Sequence, residues 1–344
     1  MRASVLVRTV AGLEGLAADE VAAAGHRVVE VSKRQLIVEG EAGALVRRPP
    51  RVADDLFVVV GSAPDPGRAK AGLAAAVRAA ARTAPAGEGA LAVSASFVGE
   101  RNFNRYDVED CVGERLARLT GGAYYSRRGG AKPPELRTDW RVVLDGKTLW
   151  VARRPYAEPL HRRPWRRRTV QGSLHPPVAA AMARLADLAP DHAVLDPFCG
   201  AGTLLLEAQA IEPRARYAGV DRDREAVAAA RANAAAHSAA RAGTYATDRG
   251  DRGDRAIDWV CADSATLTAR ADRIITNPPW NRRRYIGDLA PYLRAWRRTL
   301  NGLLVALVMP EQVAGLRRGW RVCARYEIAV AGQHPIIVVA DSSR

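Results

Sequence analysis

The chain reads as an α/β protein: an open, mostly parallel sheet flanked by helices in its C-terminal half, preceded by a smaller α+β portion. Three observations carry this reading. Strand-like runs at 193–196, 216–221, 257–261, 272–277 and 303–308 alternate with helical periodicity at 202–211, 223–237 and 288–300. Such alternation builds parallel strands joined by helical crossovers. The first of these strands ends in a carboxylate and a glycine-rich turn, VLDPFCGAG (Val194–Gly202); open sheets of this kind bind ligands at strand ends. Upstream, short strands and helices alternate without long crossovers, and Asp145-Gly146-Lys147 marks a hairpin turn between Trp140–Leu144 and Thr148–Ala152.

The N-terminal elements follow in order. Val5–Val7, Val28–Val31, Gln35–Val38 and Leu56–Val60 are strand-like, and Leu13–Ala24 is helix-like with Gly25 as its stop. Residues 67–84 are Ala- and Arg-rich and predict a helix, and Pro85–Gly89 predicts a loop. Leu91–Phe97 alternates as a strand, and Asp107–Leu119 has apolar residues at helical spacing. The prolines of 153–168, RRPYAEPLHRRPWRRR, exclude one continuous helix and predict a linker. Helical periodicity resumes at Pro177–Leu188, Ala239–Arg255 reads as a polar loop, and Arg321–Ala331 with Pro335–Ala340 reads as a final antiparallel pair.

At 344 residues the chain has room for two or three cores. It has no apolar run of the roughly 18 residues a membrane span needs, and Arg8 interrupts the N-terminal apolar stretch too early for a secretory signal. The expectation is a cytoplasmic protein away from membranes. Four separated cysteines, Cys111, Cys199, Cys261 and Cys323, form no metal-binding spacing and read as small buried hydrophobes. No metal is expected. A net charge of +15 favours a polyanionic partner. Because Lys33, Lys70, Lys132 and Lys147 are the only lysines, the charge is almost all arginine, a bias that GC-rich coding also produces. Its distribution therefore carries more than its sum. Oligomeric state is not written in the sequence; a monomer is the expectation.

The glycine-rich turn predicts a cofactor site. Strand 193–196 delivers Asp196 to a strand end, Pro197 and Cys199 lie in the turn, and Gly200 and Gly202 let a ligand approach the backbone before a helix starts at Thr203. Asp221, with Arg222, ends the next strand, where a carboxylate can accept both hydroxyls of a ribose. Asp263, with Ser264, follows the third, where it can accept from an adenine amine. Carboxylates on three successive strand ends suit a cationic, adenosine-bearing ligand. Asp223 is spaced as a helix cap. A nicotinamide enzyme would need a third glycine where Leu205 stands.

After the fourth strand comes NPPW, Asn277–Trp280. The Asn277 side-chain carbonyl and the Pro278 carbonyl can both accept from an NH2 group and turn its lone pair outward. Pro278 and Pro279 stiffen the backbone, and Trp280 can stack on a flat base. Together the two sites predict methyl transfer from S-adenosylmethionine to an exocyclic nitrogen of a nucleobase.

DPFCGAGT (Asp196–Thr203), GVDRD (Gly219–Asp223), Ala262–Asp263 and NPPW resemble the ordered motifs of Rossmann-type S-adenosylmethionine-dependent amino-methyltransferases. EPLHRRPWRRR (Glu158–Arg168) followed by HPPVAAAMARLA (His175–Ala186) resembles the junction in THUMP-domain RNA methyltransferases, which act on N2 of guanosine. The resemblance implies a ferredoxin-like domain at 1–60, a THUMP-like RNA-binding domain at 61–155, a basic linker at 156–175 and a seven-stranded, mostly parallel catalytic domain at 176–344. It implies Asp196, Gly200 and Gly202 at the methionine end of the cofactor, Asp221 at the ribose, Asp263 at the adenine, and Asn277, Pro278 and Trp280 at the base. The chain departs from the family in using Trp280 rather than Tyr or Phe, and Asn281 rather than Gly.

Arg154, Arg162, Arg163, Arg166, Arg167 and Arg168, interleaved with Tyr156 and Trp165, suit phosphate contact and stacking, as do Arg282, Arg283 and Arg284 after the amine site. The leading expectation is guanine-N2 methylation of tRNA. Ribosomal RNA, adenine N6, a resistance role, and an RNA-binding protein without catalysis remain open at this point.

Overall fold

The computed structural model describes residues 4–85, 89–244, 255–280, 289–316 and 319–342. The chain divides into two compact units, Met1–Arg8 with Ala18–Leu160 and Thr9–Ala17 with His161–Arg344.

The first unit holds an eight-stranded sheet, built from β1 (Ser4–Arg8), β2 (Arg27–Ser32), β3 (Gln35–Glu39), β4 (Asp55–Pro64), β5 (Ala90–Phe97), β6 (Ala123–Tyr124), β7 (Arg137–Leu144) and β8 (Thr148–Arg153) in the order β2-β3-β1-β4-β8-β7-β5-β6. The helices α1 (Glu14–Ala23), α2 (Ala42–Arg47), α3 (Leu73–Ala80) and α4 (Arg105–Thr120) fall between these strands in sequence. The boundary expected at residue 60 falls inside β4. This ten-residue strand is long enough to pair with β1 over its first half and β8 over its second, so the segments on either side of residue 60 share one sheet. The helix expected over 67–84 shortens to a 3-10 turn at Lys70–Gly72 and α3. At Gly61 an added Cβ would stand 1.9 Å from the Ala80 carbonyl oxygen, so α3 can pack there only on glycine. α4 opens on a capping box, Asn104 and Asp107, and closes on Gly121 at φ +78°. The β7–β8 hairpin turns as its spacing predicts: Asp145 accepts from the amides of Lys147 and Thr148.

The second unit holds a seven-stranded sheet of β9 (Ala193–Asp196), β10 (Arg216–Asp221), β11 (Asp258–Cys261), β12 (Ala271–Thr276), β13 (Leu300–Val308), β14 (Arg321–Glu327) and β15 (Ile336–Asp341). The order is β11-β10-β9-β12-β13-β15-β14. The first five strands are parallel, and β15 runs antiparallel between β13 and β14, so the sheet closes with the antiparallel strand that the resemblance implies. Its helices are α5 (Pro176–Leu185), α6 (Thr203–Ile211), α7 (Arg224–Thr244), α8 (Ala290–Thr299) and α9 (Pro310–Leu316). The Ala-rich stretch carries α7 seven residues beyond the expected end at 237; residues 245–254 of the expected polar loop lie outside the described residues. Residues 9–17 belong to this unit: the Ala329 amide donates to the Ala11 carbonyl at 2.9 Å, and Gly12 approaches the Glu327 carbonyl too closely for any Cβ.

Residues 154–175 contain no helix or strand, in keeping with their prolines. Of the four cysteines expected to be buried, Cys199 is buried and Cys111 half-buried, while Cys261 and Cys323 are exposed, because β11 and β14 are the edge strands of their sheet. Among the described residues no helix is long and apolar enough to cross a membrane.

Candidate active site

The chain runs from β9 outward through β10 to β11, then crosses back to lay β12 on the other side of β9. That reversal opens a crevice at the carboxyl ends of β9 and β12, where doubly wound sheets bind ligands. Asp196 ends β9 and Asn277 follows β12, so the two predicted sites stand at the same crevice.

The glycine-rich turn is held before any ligand arrives. The Cys199 amide donates to the Val220 carbonyl at 2.9 Å, the Gly200 amide to Asp221 Oδ2 at 3.0 Å, and the Gly202 amide to the Cys199 carbonyl at 2.8 Å. Asp196 Oδ1 accepts from the Phe198 amide. Asn233, fully buried on α7, donates to the Ala201 carbonyl. Gly200 and Gly202 take left-handed φ values of +51° and +81°, which side chains with a Cβ rarely adopt. The Trp259 indole lies directly under the turn: a Cβ on Gly202 would stand 2.7 Å from it, and one on Gly219 2.5 Å. Trp259, Gly219 and Asn233 are parts of the site that sequence reading missed. The GVD motif marks Gly219, but nothing local marks the other two.

Asp196 is buried, and burial raises its pKa from 3.8 to about 7. The Phe198 amide pulls the other way and the Asp221 charge adds to the rise. A buried carboxylate with a raised pKa at a ligand crevice is a group that a cation would favour in its charged form. Asp221 both supports the turn and accepts from the Asp223 amide at 2.9 Å, and Arg222 beside it is exposed. Asp223 caps α7 through Glu225, as its spacing predicts. Asp263 is exposed and accepts from the Ala265 amide, while Ser264 behind it is buried. Pro197 and Cys199 are buried under the turn, and burial pushes the Cys199 thiol up, which suits packing rather than nucleophilic chemistry. Thr203 is buried at the first turn of α6.

At the amine site the Asn277 amide nitrogen donates to the Gly172 carbonyl at 3.4 Å. Its Oδ1 is buried and accepts nothing among the described residues. A buried acceptor without a donor is costly, so it marks a place where a ligand donor would be welcomed. Pro278 is buried, and Pro279 accepts from Gln312 at 3.4 Å. The Trp280 indole donates to the Leu307 carbonyl at 3.0 Å, which fixes one edge of the ring.

The arginine linker is corrected in part. Arg154 is paired within the first unit to Asp55, at 2.7 Å, and to Asp139, and is only 12% exposed. Arg163 pairs with Glu207, whose side chain is wholly buried, at 2.7 Å. Trp165 is buried against His237 rather than open for stacking, and Arg166 is half-buried. Arg162, Arg167 and Arg168 are exposed, with the Arg167 and Arg168 amides held by Asn233. Arg282, Arg283 and Arg284 lie outside the described residues.

Arg163→Ala should therefore destabilise the second unit by about 3–5 kcal/mol, the cost of stranding a buried charge. Arg167→Ala with Arg168→Ala should leave the melting temperature unchanged and, for any polyanion these side chains meet, lower the salt dependence of binding. Thermal melts and salt-series titrations check both; equal melting losses in both variants would contradict the division.

Residues 163–286 match the family model described as UPF0020, RMKL-like, methyltransferase domain. Over those residues the chain is similar to that methyltransferase domain, and its second unit has a doubly wound, mostly parallel sheet. Among curated proteins it is similar to a tRNA (guanine(6)-N2)-methyltransferase of Thermus thermophilus, 33% identical over 197 residues, 56% of this chain and 52% of that protein. It is also similar to a protein of the same name from Archaeoglobus fulgidus, 26% identical over 303 residues, 79% of this chain and 72% of that one. The first alignment thus spans about half of its relative's length. Among solved structures, TrmN from Thermus thermophilus matches with a TM-score of 0.76 at 25% identity, over 98% of this chain and 99% of that one.

Proposed function

We propose that the protein transfers a methyl group from S-adenosylmethionine to the N2 amine of a guanosine in tRNA, working in the cytoplasm. The observation that carries the reading is the buried Asn277 Oδ1, without a donor among the described residues, at the end of the strand beside the one that carries Asp196. The names of the two curated relatives support guanine and tRNA over adenine and ribosomal RNA.

The residues present fit the cofactor. A buried carboxylate and a glycine turn with no room for a Cβ suit its cationic methionine end, and Asp221 and Asp263 suit its ribose and adenine. When bound, S-adenosylmethionine supplies an electrophilic methyl on a sulfonium. The chain does the aligning. Asn277 Oδ1 and the Pro278 carbonyl accept the two amine hydrogens and direct the nitrogen lone pair toward the methyl. Trp280, held by Leu307, gives the base a face to rest on. Displacement at a methyl group needs orientation more than a strong base. The exposed arginines of the linker, with Arg282–Arg284, are the proposed phosphate contacts.

Asp196 gives this reading a pH signature. Its folded pKa is raised, so between 3.8 and about 7 the folded chain keeps a proton that the unfolded chain has released. Stability of the ligand-free chain therefore declines as pH rises through that window and levels above it. A cation favours the carboxylate, so cofactor affinity should climb with pH up to about 7 and then flatten. Calorimetry at pH 6 in two buffers of different ionisation heat should show a proton released on binding; no release would remove Asp196 from the cationic subsite.

The reading is tested with labelled S-adenosylmethionine and separate pools of total tRNA and ribosomal RNA. Label in the tRNA pool supports it, and label confined to ribosomal RNA overturns the substrate.

A further inference from the structure

We propose that the turn Val170–Ser173, through the Gly172 carbonyl, is the positioning element that sets which way the Asn277 amide faces. The proposal rests on the reading of Asn277 as the acceptor for the amine. A primary amide has a donor end and an acceptor end of nearly the same shape, so an Asn that must accept can do the opposite when rotated by half a turn. At Asn277 the contact with Gly172 breaks that symmetry. Nδ2 donates to the Gly172 carbonyl at 3.4 Å, and Oδ1 is left buried with no donor among the described residues. Rotation would set oxygen against oxygen at Gly172 and point N–H groups at the amine's own N–H groups.

The turn is built to hold that carbonyl in place. The Ser173 amide donates to the Val170 carbonyl at 3.0 Å, and the Val170 amide donates back to Ser173 Oγ at 2.8 Å. Gly172 sits at φ +79° in the third position of the turn, where glycine is the residue of choice. Among the described residues nothing lies within 4 Å of where its Cβ would be, so backbone conformation rather than packing at Cβ resists substitution there. The same turn also lies beside the cofactor turn: a Cβ added at Gly200 would stand 3.7 Å from Val170 Cγ2. One short segment before α5 thus meets both halves of the site.

The test compares Gly172→Val, which opposes the left-handed conformation, with Gly172→Asn, which tolerates it. The Asn277 side-chain amide resonances of the 344-residue chain are assigned by their loss in Asn277→Asp. Gly172→Val should shift those resonances and lower kcat about tenfold to a hundredfold, the cost of a small misplacement, with the KM for S-adenosylmethionine retained and the melting temperature lowered by no more than the few degrees that about 1–3 kcal/mol of backbone strain costs. Gly172→Asn should restore both readouts. Asp at 277 has no N–H to give, so in the Asn277→Asp background Gly172→Val should add no further loss. Unmoved amide resonances, or an equal loss in both backgrounds, would overturn the positioning role. Failure of the unmodified protein to methylate any RNA would overturn the functional reading instead, because the resonances score the positioning without turnover.

Discussion

Asn277→Ala is expected to lower the methyl-transfer rate by about 10²–10³-fold, the usual cost of removing one preorganised polar partner of a reacting group, with cofactor affinity unchanged. The expectation follows from where the side chain's two ends go. Its nitrogen is engaged by a backbone carbonyl of the same unit, and its oxygen is buried with no donor among the described residues. The alanine variant loses the open acceptor while the Asp196 turn keeps all its own supports, since none of those hydrogen bonds involves Asn277. Single-turnover rates with saturating RNA, set beside cofactor titration, separate the two effects. Equal loss of rate and cofactor affinity would mean that Asn277 belongs to the cofactor subsite and not to the amine site.

Gly202→Ala is expected to damage both stability and cofactor binding. Its φ of +81° opposes any Cβ, and the added carbon would stand 2.7 Å from the Trp259 ring and 3.1 Å from the Ala230 methyl. Backbone strain of about 1–3 kcal/mol and overpacking of about 1–3 kcal/mol act together at one atom. At about 2–4 °C per kcal/mol for a unit of this size, the melting temperature should fall by roughly 5–20 °C. Trp259→Phe in the same chain should recover the packing part and leave the strain, so a partial rescue is the expected pattern. A Gly202→Ala chain that melts normally and binds cofactor normally would show that the turn does not hold its close packing in solution.

The parts of this site legible in the sequence are those whose chemistry is local. A carboxylate at the end of an apolar run, glycines two residues apart, and an amide before two prolines keep their meaning wherever the strand lies. Asp196, Gly200, Gly202 and Asn277 accordingly stand at one crevice. What was not legible depends on partners far along the chain. Arg163 and Trp165 look identical in sequence to their exposed neighbours; Glu207 and His237, more than forty residues away, take them out of solvent. Asn233 reads as one more polar residue in an Ala-rich helix, yet it ties the linker to the glycine turn. The N-terminal sheet escaped for a similar reason. Residue 60 looks like the end of a strand by composition, and only the pairing of β4 with β1 on one half and β8 on the other joins the two flanking segments into one sheet.

The central claim is that the crevice holds a guanine amine against a cofactor methyl. It is tested most directly on an unmodified tRNA transcript with guanosine at position 6, the position in both curated relatives' names, alongside the same transcript with adenosine there. After incubation with labelled S-adenosylmethionine, digestion to nucleosides should place the label in N2-methylguanosine for the first transcript and leave the second unlabelled. Label in N6-methyladenosine, or equal label in both transcripts, would contradict the account.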